Sequence, residues 1–400
     1  MKTSVLFASL SVATVLLTSS CASQTVPEDS GLSEETMAQQ PEPTMAQQPE
    51  LVVELFQPIA PNIENPITWD NLVERSDEIS AIVYNDVYAT IERNKKILGY
   101  NDISYEFYRS PNLKDLHYAN VDSWLDDLFA LYANTVKPDT ETYIAFPFED
   151  LEWAVELLSD PKVNQPDYEV VMRNANQGPE QGIRQNAVPG LVRGRWDGIW
   201  SLPATLGPEP GTPFTSFAIH EEHEMNHEYA HQVQARQFKD EFLDGPFLGM
   251  ERVPCFLVEG TARIPELTLI YDSAGDYANT RPGRSGSYLY VPESEDELGN
   301  FTMIMALTDK VTVQYAEEYL ERSFEPRCSA GYQYALGYSL GLIASEGLAA
   351  IGGVESTMAL FTRMGQNDLS WEEAFSGIYG VSWDEARPIL AELIAKEYRP

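Results

Sequence analysis

Basic side chains are scarce in this 400-residue chain: 26 Lys and Arg stand against 62 Asp and Glu, a formal net charge of -36. A surface so poor in cations is repelled by phosphate backbones and anionic lipid heads, which argues against nucleic-acid binding and polybasic membrane docking. Beyond the first two dozen residues no apolar run is long and charge-free enough to span a bilayer. Cysteine is rare as well, with three residues in all, and histidine occurs five times. The composition still favours folding. With 43% hydrophobic and 11% aromatic side chains the chain can bury a core of one large or two modest domains, and it does not have the make-up of a disordered segment.

The N-terminus reads as an address. Lys2 precedes an uncharged apolar run over residues 5–17 and the small residues Thr18, Ser19 and Ser20, a secretory signal at 1–21 that is too short to be a spanning helix. Leu17-Thr18-Ser19-Ser20-Cys21 resembles a bacterial lipobox, which implies a lipid anchor at Cys21 on the periplasmic side or cell surface. Thr18 stands where such boxes carry Leu, so cleavage after Ala22 and simple secretion is the competing reading. Residues 22–65 then read as a disordered tether, rich in Pro and Gln, in which Thr-Met-Ala-Gln-Gln-Pro-Glu occurs at 36–42 and again at 44–50. The apolar stretch at 51–56 is the part expected to dock on the body. With Cys21 assigned to the anchor, Cys255 and Cys328 form an even pair in an oxidising compartment, compatible with a disulfide or with two separately buried thiols.

The pattern along the folded part mixes element types and predicts an α+β class. A helix is expected over 69–98, where Ile79, Ile82, Val83, Val87 and Ile91 recur at helical spacing, and a second from Asp122 to before Pro138. Strands are expected at 142–148, 168–172 and 198–202, a helix at 149–158 and a loop at 174–195. Residues 214–239 contain no Gly or Pro and are expected to form one long helix. From about residue 300 the pattern is helical, with Gly347, Gly352, Gly353, Gly365 and Gly380 as its expected breaks. This division gives an α+β part at 66–275 and a helical C-terminal subdomain at 276–400 belonging to the same unit.

Four of the five histidines, His220, His223, His227 and His231, lie on the long helix. At about 100° per residue they fall within an arc of about 80°. Two overlapping His-Glu-x-x-His matches result, at 223–227 and 227–231. Imidazoles four apart on a helix converge on one metal ion while the Glu after the first faces its water. The uncharged flanks Met225, Tyr229, Ala230, Gln232 and Val233 favour the later register, since a helix buried beneath a cleft strands no charge there. His227 and His231 are therefore the expected ligands and Glu228 the expected base. A catalytic zinc takes three protein ligands, and no histidine follows His231. Glu259, followed by Gly260 and Thr261-Ala262, is the expected third ligand, with Gly260 expected to let the histidine helix approach, and Glu266 the alternative. Pro265 is expected to kink or end that second helix early.

His227-Glu228-Tyr229-Ala230-His231 followed by Glu259-Gly260-Thr261-Ala262 resembles the gluzincin branch of the zincin metallopeptidases, whose pattern is HExxH and then Glu-Gly-x-Ala on a second helix. The resemblance implies a zincin-like α+β fold with a small mixed sheet, a zinc cofactor held by His227, His231 and Glu259, and Glu228 as catalytic base activating a zinc-bound water. It implies peptide or protein substrates, an edge strand near Gly198 to Leu202, and a Tyr or His donor to the oxyanion, for which Tyr334 and Tyr338 are candidates. Arg263 is a candidate for orienting Glu259, and His220 and His223 for polar groups on the cleft wall. Two other readings compete: a non-catalytic, histidine-rich metal-binding lipoprotein, and an inactive peptidase fold kept as a binding module.

Overall fold

A computed structural model of the protein describes residues 55–112, 118–137, 140–146, 150–158, 186–192, 195–203, 217–238, 252–280, 289–295, 301–306, 311–325 and 336–398. The signal, the lipobox-like end with Cys21, most of the tether and the strand expected at 168–172 lie outside them. Among the described residues no single helix is long and apolar enough to cross a membrane.

The N-terminal elements are α1 (Ser76–Asn94), β1 (Ser104–Arg109), α2 (Val121–Leu131), β2 (Thr140–Phe146), α3 (Leu151–Leu158), β3 (Asn186–Val192) and β4 (Arg195–Pro203). α1 forms because its apolar stripe, Ile79, Ile82, Val83, Val87 and Ile91, is wholly buried. The long histidine helix is α4 (Phe217–Arg236), and the helix carrying Glu259 is α5 (Cys255–Thr268). α6 (Ala274–Thr280), the hairpin β5 (Leu289–Glu295) with β6 (Phe301–Ala306), and α7 (Val313–Arg322) follow. A single π-helical turn, Gly337–Gly341, then leads straight into α8 (Leu342–Gly352), α9 (Val354–Gly365), α10 (Trp371–Tyr379) and α11 (Trp383–Glu397). Ser370 with Glu373 and Ser382 with Glu385 form capping boxes that start α10 and α11.

The expected α+β balance is corrected: the body is mostly helical. Its hydrophobic core is a single cluster drawn mainly from helices, running from Ile67 to Tyr398 across the expected boundary at 275/276. Short apolar helices packed around α5 and α8 bury that surface, so strands are minor. The strands pair in the order β1-β2-β4-β3, parallel except for the antiparallel β3–β4 contact. β4, which contains Gly198 to Leu202, is therefore paired on both sides, and the edges are β1 and β3, the latter inside the expected loop at 174–195. β1, β5 and β6 were not expected. Gly347 does not break a helix but lies inside α8, whereas Gly353 and Gly380 end helices with positive φ.

α5 runs through Pro265 and ends at Thr268, so the expected early stop does not occur. Pro265 withholds the bond to the carbonyl four residues back, but burial of nearly every α5 side chain, from Cys255 to Thr268, holds the helix together. Cys255, at its first turn, is disulfide-bonded, with its partner outside the described residues. Of the stretch at 51–56 only residues 55 and 56 are described, and there the Phe56 carbonyl accepts from Arg363 Nη2 at 3.1 Å.

Candidate metal centre

α4 and α5 pack side by side, and between them His227, His231 and Glu259 bring one ligand atom each to within 4.8 Å of one another. His227 Nε2 lies 2.9 Å from His231 Nε2 and 3.3 Å from Glu259 Oε2, and His231 Nε2 lies 3.6 Å from Glu259 Oε1. His227 and Glu259 are buried and His231 is partly so. The ring of His231 stands edge-on to that of His227 at 4.6 Å.

Hydrogen bonds behind the rings decide which nitrogens face inward. His227 Nδ1 meets Glu266 Oε2 at 2.7 Å, and a carboxylate can only accept there, so Nδ1 carries the proton. His231 Nδ1 meets Gln234 Oε1 at 2.9 Å, while Gln234 Nε2 donates to the Val258 carbonyl at 2.9 Å. That second bond fixes the amide with its oxygen toward the ring. Both neutral imidazoles consequently present Nε2 lone pairs to each other and to a carboxylate. Three acceptors converging in a buried space repel one another unless a cation sits among them.

The electrostatics express the same demand. Burial opposes protonation of His227, yet the carboxylates of Glu266 and Glu259 push it up to about 10. Burial likewise opposes ionisation of Glu259, but the charges of His231 and His227 hold its carboxyl down at about 2. His231 is raised despite burial, with Glu259 the main cause and Glu228 a smaller one. The donors also fit zinc. Tetrahedral bonds of about 2.0–2.1 Å separate ligand atoms by about 3.3 Å, and 2.9, 3.3 and 3.6 Å bracket that spacing. Two imidazole nitrogens and one carboxylate oxygen are a donor set of catalytic zinc sites. No family model, curated protein or solved structure matches this chain.

The flanking residues divide into those expected and those overlooked. Glu228 is half-buried next to His227 in sequence and within electrostatic reach of His231. Glu266, the alternative ligand, is outside the cluster: it stands behind His227, accepting from Arg263 and lying 2.5 Å from His223 Nε2. Arg263 accordingly orients Glu266 and not Glu259, and its guanidinium lies 5.6 Å over the Tyr338 ring. His223 is this carboxylate's third partner, while the side chain of His220 lies outside the described residues, as does Tyr334. Tyr338, on the π turn, stacks on His227 at 5.3 Å with its Oη 3.5 Å from Nε2.

Gly260 serves a different neighbour from the one expected. A Cβ there would lie 2.2 Å from the Gly341 carbonyl oxygen, and one at Gly337 would lie 2.4 Å from Glu259 Cβ. The glycines fit α5 against the π turn, not against α4. The sequence pattern assigned no role to Gln234, and Gly337-x-x-x-Gly341 fell within a region expected only to be helical. The spacing of those two glycines was the available signal for a close helix contact.

Proposed function

We propose that this chain is a zinc metallopeptidase of the gluzincin kind, exported and tethered through a lipid at Cys21, that hydrolyses peptide bonds in peptide or protein substrates. The observation that carries the reading is the convergence of His227, His231 and Glu259 with Glu228 placed between the two histidines in sequence. A zinc ion held by these three residues supplies Lewis acidity, bringing the pKa of water toward 7 and polarising a carbonyl. Glu228 takes the proton of the attacking water and returns it to the leaving amine. Tyr338 Oη, beside His227 Nε2, donates to the oxygen that becomes negative at the scissile carbon. Glu266 and Gln234 hold the two imidazoles in the tautomer that leaves Nε2 free.

A site built only to store metal has no use for an acid–base residue beside its ligands. Replacing Glu228 by Gln separates the readings. We expect Glu228→Gln to keep one zinc per chain and to lose about 10²–10⁴-fold in turnover of an unfolded protein substrate. Unaltered turnover, or a parent protein inert on a broad peptide mixture while fully loaded with zinc, turns the site into a metal store.

A further inference from the structure

Glu266, Arg263, Tyr338 and His227 close into a circuit at one side of the metal centre. The two oxygens of Glu266 go to different partners, Oε1 to the Arg263 guanidinium and Oε2 to His227 Nδ1. Those two partners in turn meet the same aromatic ring. The guanidinium carbon of Arg263 lies 5.6 Å from the centroid of the Tyr338 ring, and the His227 ring stacks on it at 5.3 Å with 13° between the planes. Tyr338 Oη comes to 3.5 Å from His227 Nε2.

Each link has a physical cause. Tyr338 is the second residue of the π turn, and a Cβ on Gly337 before it would lie 2.4 Å from Glu259 Cβ, so the turn sits close against the ligand helix. Arg263 follows Glu259 by one turn of α5 and therefore shares its face. It is partly buried, and its Nε has no hydrogen-bond partner. A guanidinium short of hydrogen bonds is stabilised by the electron-rich face of an aromatic ring within about 6 Å. The contact works in both directions: the ring offsets the burial of the cation, and the cation, anchored by Glu266, fixes the ring.

We infer that Arg263 is a positioning residue for Tyr338, holding the phenol ring against His227 so that Oη stays where the scissile carbonyl oxygen becomes negative. This inference deepens the proposed function and rests on it, since it takes Tyr338 as the donor. Glu266 thereby steadies two groups, His227 directly and Tyr338 through Arg263.

The test uses the full chain loaded with zinc, in a double-mutant cycle of Arg263→Met and Tyr338→Phe. Tyr338→Phe keeps the ring and removes the donor, and is expected to lower kcat about 10²–10³-fold. Arg263→Met is expected to lower kcat about 3–30-fold with KM and zinc content unchanged, as the loss of an interaction made only in the transition state does. In the Tyr338→Phe background the same substitution should lower kcat no further. Binding should show the pattern without turnover: a peptide phosphonate, whose tetrahedral anion imitates the transition state, should bind Arg263→Met about 3–30-fold more weakly, and the double variant no more weakly than Tyr338→Phe. Arg263→Lys, which keeps the cation, should recover part of both losses, and it runs the same cycle if the methionine variant does not fold. An equal loss of kcat in both backgrounds overturns the inference, because Arg263 then acts through Glu266 and the zinc site. So does zinc lost from Arg263→Met, a lysine no better than methionine, or a kcat that either single substitution leaves unchanged. The peptidase reading survives all of these on Glu228. A zinc-loaded parent that is inert on peptides overturns the proposed function, and the inference with it.

Discussion

The two faces of α5 are held by different physics. Toward α4 it presents Glu259, Arg263 and Glu266, and the contact is a set of charges and directed hydrogen bonds around the imidazoles. Toward the π turn it presents Gly260, so close to the Gly341 backbone that an added Cβ would lie 2.2 Å from its carbonyl oxygen. The first contact tolerates displacement but not a change of charge. The second tolerates no added atom and is indifferent to charge. Glu259 lies between the two faces, so its position is set sterically from one side and its ionisation electrostatically from the other.

The largest effect should come from breaking the charged face. Glu266 is 2% exposed and serves His227, His223 and Arg263 together. Removing it strands a partly buried guanidinium, and truncating one partner of a buried ion pair typically costs about 3–5 kcal/mol, an upper bound here. We expect Glu266→Ala to lower the urea midpoint accordingly and to weaken zinc binding, because His227 Nδ1 loses its acceptor. A midpoint within error of the parent would show that the charges are solvated. The tight face should respond less in energy but without electrostatic signature. Gly260→Ala places a carbon 2.2 Å from a carbonyl oxygen, and the helices must part, at about 1–3 kcal/mol. Its loss of stability should be the same at low and high salt, whereas a salt-dependent loss would mean that the seam is not purely steric.

The charged face was more legible in sequence than the tight one. Imidazoles at i and i+4 announce a ligand pair because helix geometry alone brings them together, and Glu259 stood out as the lone acid in an apolar segment before a glycine. The roles of Glu266 and Arg263 were not legible, since which carboxylate meets the metal and which stands behind it depends on the rotation of α5 against α4. Pro265 misled for a related reason: local propensity ends helices at proline, and only the burial of the surrounding helix overrides it. The π turn left no periodic trace at all. The strands expected at 142–148 and 198–202 fall on β2 and β4, whereas β1, β5 and β6 were missed, because short apolar runs suit strands and buried helices equally.

The smallest and most discriminating effect is that of pH on the metal-free protein, which probes the charged face alone. His227 has a folded pKa near 10 against an ordinary 6.5, so its contribution to stability is complete below pH 6.5 and is lost as pH rises through 10. Glu259 has a folded pKa near 2 against an ordinary 4.5, so its contribution is complete above pH 4.5 and is lost as pH falls through 2. Both are present together only between those ordinary values. The metal-free chain should therefore have its highest Tm between pH 4.5 and 6.5 and decline on the alkaline side. Zinc reverses the alkaline limb, because it binds the unprotonated imidazoles and stabilises the folded state by mass action. The gain in Tm on adding zinc should thus grow from pH 5 to pH 8, and it should vanish in His227→Ala, in which no proton and metal compete for the same nitrogen. A metal-free Tm that stays level from pH 6 to 9 would mean that the imidazole carries no proton in the absence of metal, and that the converging lone pairs are separated by water instead.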